Sequence, residues 1–335
     1  MKKAPLRISP FATTAMAIMP HTDRHEALRL ALLLDVPFWP QLPRLGFTED
    51  MYAQSLAGFP GLGVDIAHSR LTFSKRAFED ELAGFLEGQP PAPPASATLE
   101  AFLESGLSAY EAVRGQTMGP VSCGFRVIDE RKRPVIYDDE VRPVLFEHLG
   151  RVASGQLAQL SALNGQPFIF MDEPGLAVVF SGLSGYNESR AAEDLASTLE
   201  RIEGPVAIHL CGRPDWDFLL RLPIAMLSFN AFASGELFVS QTGAIASFLD
   251  RGGIICWGMV PTHEQALERF SVNQLGERLA DLLQRLIDSG IDRGQLTGQS
   301  MLAPATCNLA GTPRSVEIAF EVLGHLSEAM KGEPL

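Results

Sequence analysis

His209 and Cys211 stand two residues apart in AIHLCGRP (207–214), at the end of an apolar run. Side chains at i and i+2 of a strand project to the same side. Both can therefore reach one ion. Cys307 arrives from the far end of the chain, in PATCNLAG (304–311). Histidine, cysteine and cysteine make the ligand count of a catalytic zinc, which takes three protein ligands and keeps one position open. On spacing alone the plainer reading prevails: two buried thiols and a hydrogen-bonded core histidine. The remaining polar candidates are Asp172 and Glu173 in MDEP, Asn230 in MLSFNAF, His21 in MPHT, and Trp39 with Gln41 in PFWPQLPR.

These residues need elements that bring them together. Short apolar runs ending in polar, Gly or Pro residues predict eight strands: 11–19, 36–42, 117–125, 167–174, 206–212, 224–232, 253–261 and 296–304. Several are unbroken apolar runs, as parallel strands buried on both faces require. Helical periodicity fills the intervals at 23–34, 138–163, 273–290 and 312–331. Asp23 is placed to cap the first, and Gly290 to end the third. This alternation predicts an α/β fold, a (β/α)8 TIM barrel spanning 1–335 as one domain. A long insert at 60–115, after the second strand, is expected to hold a hairpin, a helix, the Pro-rich linker QPPAPPAS (89–96) and a second helix over 98–114. An open doubly wound sheet would want G-x-G-x-x-G after the first strand, and there is none. Barrel chemistry gathers where strands end. That rule puts Asp172, Glu173, His209, Cys211, Asn230, Cys307 and His21 on one rim. Trp39 either walls the site or caps the barrel.

Composition narrows the partners. The chain has 335 residues, 46% of them hydrophobic and 20% charged, with a formal net charge of -13. A core is affordable in material terms, and no basic groove is available for nucleic acid or an anionic membrane surface. No run reaches the ~20 apolar residues of a spanning helix. The N-terminal MKKAPLRISPFATTAMAIMP is broken by Arg7 and Pro10 and is expected to be a first strand, not a signal peptide. Four scattered cysteines, Cys123, Cys211, Cys256 and Cys307, are not a disulfide framework and suit a reducing cytoplasm. Cys256 and Cys123 are expected to be packing thiols. His68, His148, His263 and His325 are expected at the surface.

Taken together, TTAMAIMPHT (13–22), GPVS (119–122), MDEPGLA (171–177), IHLCG (208–212) and PATCNLAG (304–311) carry a resemblance. The chain resembles the catalytic C-terminal barrel of cobalamin-independent methionine synthase, as a short single-barrel relative within the uroporphyrinogen decarboxylase-like superfamily. The resemblance implies zinc held by His209, Cys211 and Cys307, and a homocysteine-like thiol made into a thiolate for methyl transfer. The donor it implies is a methyl-folate or methylcobalamin on a corrinoid protein. It implies that Asp172 holds the substrate amine, with His21 in the pocket. Two departures stand out. The family's sixth strand ends in a glutamate ligand where this chain has Asn230, leaving Glu236 as a nearby carboxylate. Ala17 and Ile18 stand where the family has Gly-Ser. Two alternatives stay open: a metal-free decarboxylase of the same superfamily, for which Arg7 and Arg24 flank the first strand without forming a cluster, and a non-catalytic barrel that binds a thiol or a corrinoid partner.

Overall fold

The computed structural model describes residues 6–88, 95–212, 214–307, 309 and 311–332. Most of the expected Pro-rich linker, 89–94, lies outside the described residues. Nine strands are described: β1 (Ala12–Thr13), β2 (Leu62–Asp65), β3 (Arg70–Phe73), β4 (Val113–Met118), β5 (Pro167–Asp172), β6 (Val206–Leu210), β7 (Met226–Phe229), β8 (Ile254–Val260) and β9 (Ser300–Pro304). Seven of them form one parallel sheet in the order β1-β9-β8-β7-β6-β5-β4.

The sheet curls. Inward residues of consecutive strands, among them Phe168, Phe170, Ala207, Met226, Cys256 and Met301, join Ala12, Met16 and Val36 in one apolar cluster. Residues from the two ends of the strand order therefore share one interior, as in a TIM-like barrel. The alternate residues, such as Ile169, Met171, Ile208, Leu210, Leu227 and Trp257, pack outward beneath the helices. This two-sided burial accounts for the apolar runs.

The second expected strand is the least regular. Residues 36–41 make single parallel bridges, Ile18 with Gln41 and Phe38 with Arg114, and join no named strand. Pro37 and Pro40 lack the N–H that a continuous ladder requires. Arg114 fastens this seam from inside. Its guanidinium is fully buried, 4.5 Å from the Phe38 ring centroid and 5.2 Å from that of Phe170. It donates to Thr14 Oγ1 at 3.2 Å, to Gln116 Oε1 at 2.8 Å and to the Ala15 carbonyl. Gln116 in turn donates to the Trp39 carbonyl at 2.6 Å, and Thr14 Oγ1 to Val36 O at 2.9 Å.

The third strand differs from its expected bounds. It occupies Val113–Met118, overlapping the expected helix at 113–114 and the expected strand at 117–118, and 120–126 is a helix, Pro120–Arg126. Pro120 fits a first helical turn, where its missing N–H costs nothing. The helix expected over 98–114 is confined to Ala97–Leu103. Of the sequence between the second and third expected strands, β2 and β3 pair as an antiparallel hairpin, followed by the helix Lys75–Glu87. Among the described residues no helix is long and apolar enough to cross a membrane.

Candidate metal centre

β5 and β6 run in register, with Asp172 opposite His209, and His209 lies opposite Ser228 of β7. Cys211 follows β6 by one residue. Cys307 sits on the loop after β9, which is tied down on three sides. Ala305 N–H donates to Val260 O at 2.8 Å, Thr262 and Thr306 share a hydroxyl hydrogen bond of 2.9 Å, and Leu309 N–H donates to Ile18 O at 3.1 Å.

The fold brings the three expected ligands together. One donor atom each from His209, Cys211 and Cys307 lie within 4.8 Å of one another, and the two sulfurs are 3.5 Å apart. Tetrahedral zinc with sulfurs at about 2.3 Å would hold them roughly 3.8 Å apart, a small adjustment. His209 is wholly buried, and its Nδ1 lies 2.9 Å from Ser228 Oγ. Among the described residues its Nε2 has no hydrogen-bond partner. With Nδ1–H donating to Ser228, Nε2 carries the free lone pair that a metal takes, the usual arrangement for a ligating histidine. The two thiols share protons. Their contact is the chief cause that lowers the Cys211 thiol and raises that of Cys307.

Asp172 and Glu173 part ways. Asp172 faces the interior, 5% exposed, with Oδ1 unpartnered among the described residues. Burial pushes it up to about 6, and the neighbouring Cys211 adds to that. Glu173 turns outward and accepts from Val121 N (3.0 Å), Ser122 N (2.9 Å) and Ser122 Oγ (2.6 Å), at the start of helix Pro120–Arg126. Burial still pushes its carboxyl up to about 7.

The other expected residues are more dispersed. Asn230 Oδ1 caps helix Ala231–Val239 by accepting from Ala233 N at 2.9 Å. Glu236 pairs with Arg285 on the outside of the barrel. His21 is buried with both ring nitrogens unpartnered among the described residues, amid the charges of Glu26, Glu317 and Arg29, and burial lowers its pKa. Trp39 packs with Leu28, Leu99 and Phe102, between the barrel and its outer helices. Cys256 and Cys123 are buried. His148, expected at the surface, is instead wholly buried against Phe59 and Phe85, with Nε2 3.1 Å from Ser55 O. Its helix, Val141–Ser161, turns that face inward, and 21 residues of mixed composition leave the choice of face ambiguous in sequence.

Three residues near the centre escape a reading of motifs. Ser228 supports His209 through strand register. Arg114 alternates with Gln116 on the inner face of β4, a polar i, i+2 pattern that was open to detection. Tyr52 sits under the Arg126 guanidinium at 5.6 Å, and its hydroxyl is raised by burial and then by Cys123, Asp172 and Glu173.

No sequence-family profile matches the chain, and no curated protein sequence matches it. Solved structures do. A B12-independent methionine synthase from Shewanella sp. W3-18-1, solved with selenomethionine, is similar over 97% of this chain and 98% of its own, at a TM-score of 0.60 and 13% identity. A methyltransferase from Methanosarcina mazei is similar over 96% and 95%, at a TM-score of 0.53 and 12% identity. At such identities the likeness establishes a shared fold.

Proposed function

We propose that this chain is a zinc-dependent methyltransferase whose acceptor is a homocysteine-like thiol. The observation that carries the reading is the convergence of a His209 ring nitrogen with the Cys211 and Cys307 sulfurs, with His209 Nε2 unpartnered among the described residues. This is a soft, nitrogen-and-sulfur donor set of the kind zinc takes. Zinc bound there would act as a Lewis acid that keeps the acceptor sulfur deprotonated at neutral pH.

The protein's own groups supply the rest. Ser228 Oγ holds the His209 ring at Nδ1, and zinc on Nε2 would leave Nδ1–H to donate to it. Asp172, buried and with one oxygen free, accepts from the ammonium of the acceptor. In the transfer itself the acceptor sulfur forms the new S–C bond while the donor's bond to the methyl group breaks. The bonding pair leaves with the donor, a folate nitrogen or the cobalt of a corrinoid protein. The reading takes the barrel as eight-unit, closed through 36–41, with these groups on one rim. Asn230 is committed to a helix cap and Glu236 to Arg285, so the reading takes a three-ligand site with its fourth position open to the thiol.

The test is metal content after anaerobic purification, for the wild type beside Cys211→Ser and Cys307→Ser. About one zinc per chain, lost in both folded variants, is expected. Methyl transfer to homocysteine is then assayed with methyl-folate and with a methylated corrinoid protein. A wild type that binds no zinc after reconstitution overturns the proposal and favours the metal-free decarboxylase.

A further inference from the structure

The fold sorts the four free cysteines into two kinds. Cys123 and Cys256 are 0% exposed, one packed beneath the outer helices and the other in the barrel interior. Cys211 and Cys307 are only partly buried. Their sulfurs lie 3.5 Å apart, across 96 residues of sequence. That contact is closer than a shared tetrahedral zinc needs, roughly 3.8 Å, and about 1.5 Å longer than a disulfide bond of about 2.05 Å. Neither cysteine is held in a strand ladder. Cys211 follows the last residue of β6, and Cys307 lies three residues past the end of β9. The ties of the Cys307 loop fall at Ala305, Thr306 and Leu309, on either side of the cysteine. The two side chains can therefore close on each other without a break in the sheet.

A metal and a disulfide exclude each other at this pair. A metal takes each cysteine as a thiolate. A disulfide leaves neither sulfur with a charge to donate, and of the three donors only the His209 ring remains. One neutral imidazole is not a zinc site. Conversely, sulfurs bound to a metal have their reactive lone pairs committed.

We propose that Cys211 and Cys307 form a reversible disulfide in the metal-free protein, a redox latch that closes the centre to zinc and to the acceptor thiol. Its consequence for activity rests on the zinc reading; the bond itself needs only the two sulfurs. The oxidant is a hydroperoxide. One sulfur attacks the O–O bond and becomes a sulfenic acid, and water or an alcohol leaves. The second sulfur attacks the first, the S–S bond forms, and hydroxide leaves with the thiol proton as water. Two thiols lose two electrons and the peroxide gains them. A dithiol reverses the latch by exchange. In a reducing compartment such a disulfide is transient and senses oxidant.

The experiment starts from the full chain, reduced and stripped of metal by a chelator. Zinc uptake by the reduced protein is measured first. Hydrogen peroxide is then added to the metal-free and the zinc-loaded protein. Free thiols are alkylated in denaturant, and the peptides are read by mass spectrometry. In the metal-free protein the free thiols should fall from four to two, with Cys211 linked to Cys307 of the same chain and Cys123 and Cys256 still alkylated. Bound zinc should slow that loss at least about tenfold. The oxidised protein should take up no zinc until a dithiol restores all four thiols. Cys211→Ser and Cys307→Ser should each yield no linked peptide. A link between chains, a link through Cys123 or Cys256, equal rates with and without zinc, or no link at all overturns the inference, and zinc uptake by the reduced protein then leaves the zinc reading intact. A reduced wild type that takes up no zinc defeats the zinc reading and the latch with it.

Discussion

Asp172 and Glu173 are successive residues that face opposite ways, and that alternation gives them separate work. Asp172 stays on the inner face, beside the thiols. Glu173 reaches outward and locks two motifs together. A Cβ on Gly119 would fall 2.0 Å from Glu173 Cδ, and one on Gly175 would fall 2.7 Å from Ser122 Cα. The glycines of GPVS and MDEPG are therefore the room in which the carboxylate and the helix start meet. Glu173→Ala should cost about 2–4 kcal/mol in urea unfolding, since it strands three donors, and should leave zinc content unchanged. A loss of zinc would place Glu173 in the metal centre instead. His148 sets a pH dependence. Burial holds its imidazole down, to about 4. The unfolded chain takes up that proton below about 6.5 and the folded chain does not. Stability should fall as pH drops from about 6.5 toward 4, by at most about 3 kcal/mol at about 1.4 kcal/mol per pH unit. His148→Leu should flatten that part of the profile, read as urea midpoint against pH. At this scale H-x-C and DEP were legible because each is local. The bond from Glu173 to Ser122 was not, because 51 residues separate the partners.

At the scale of elements, the seam around residues 36–41 is where the barrel trades backbone hydrogen bonds for side-chain ones. Two prolines interrupt the ladder, and Arg114 replaces it with a fork reaching Thr14, Ala15 and Gln116 while its face lies against Phe38 and Phe170. The site is costly for a charge, and burial brings the Arg114 guanidinium down to about 9. Arg114→Ala should therefore destabilise strongly, by about 3–5 kcal/mol, through a cavity and stranded acceptors. Arg114→Lys should recover only part, because an ammonium lacks the planar fork. Urea unfolding of the two variants checks this, and equal stability of Arg114→Ala and wild type would sink the clasp. The same polar face explains why the third strand was misplaced in sequence. Arg114 and Gln116 broke the apolar run that marks a buried strand, and the apolar stretch after Gly119 imitated one. β5, β6 and β8, apolar until their last one or two residues, were legible to within two residues at each end.

Across the whole molecule, the candidate metal centre joins the ends of β6 and β9, which are separated in the sheet by β7 and β8. Cys211 and Cys307 are 96 residues apart in sequence, so a shared ion would close a long loop, and the constraint acts chiefly on the unfolded chain. Binding to the folded state alone stabilises by RT ln(1 + [L]/Kd), about 4 kcal/mol at a thousandfold excess of metal over Kd. Zinc should accordingly raise the unfolding temperature, and a chelator should lower it reversibly. The rise should vanish in Cys211→Ser, whose fold rests on the same core. The direction in pH follows from the ligands, which bind only when deprotonated. Acid should therefore erase the zinc-dependent part of the stability while the zinc-free protein keeps its own. Scanning calorimetry with and without zinc, at two pH values, separates the two contributions. A zinc-induced rise that persists in Cys211→Ser would mean that the metal binds elsewhere and would remove the thermodynamic support for the centre.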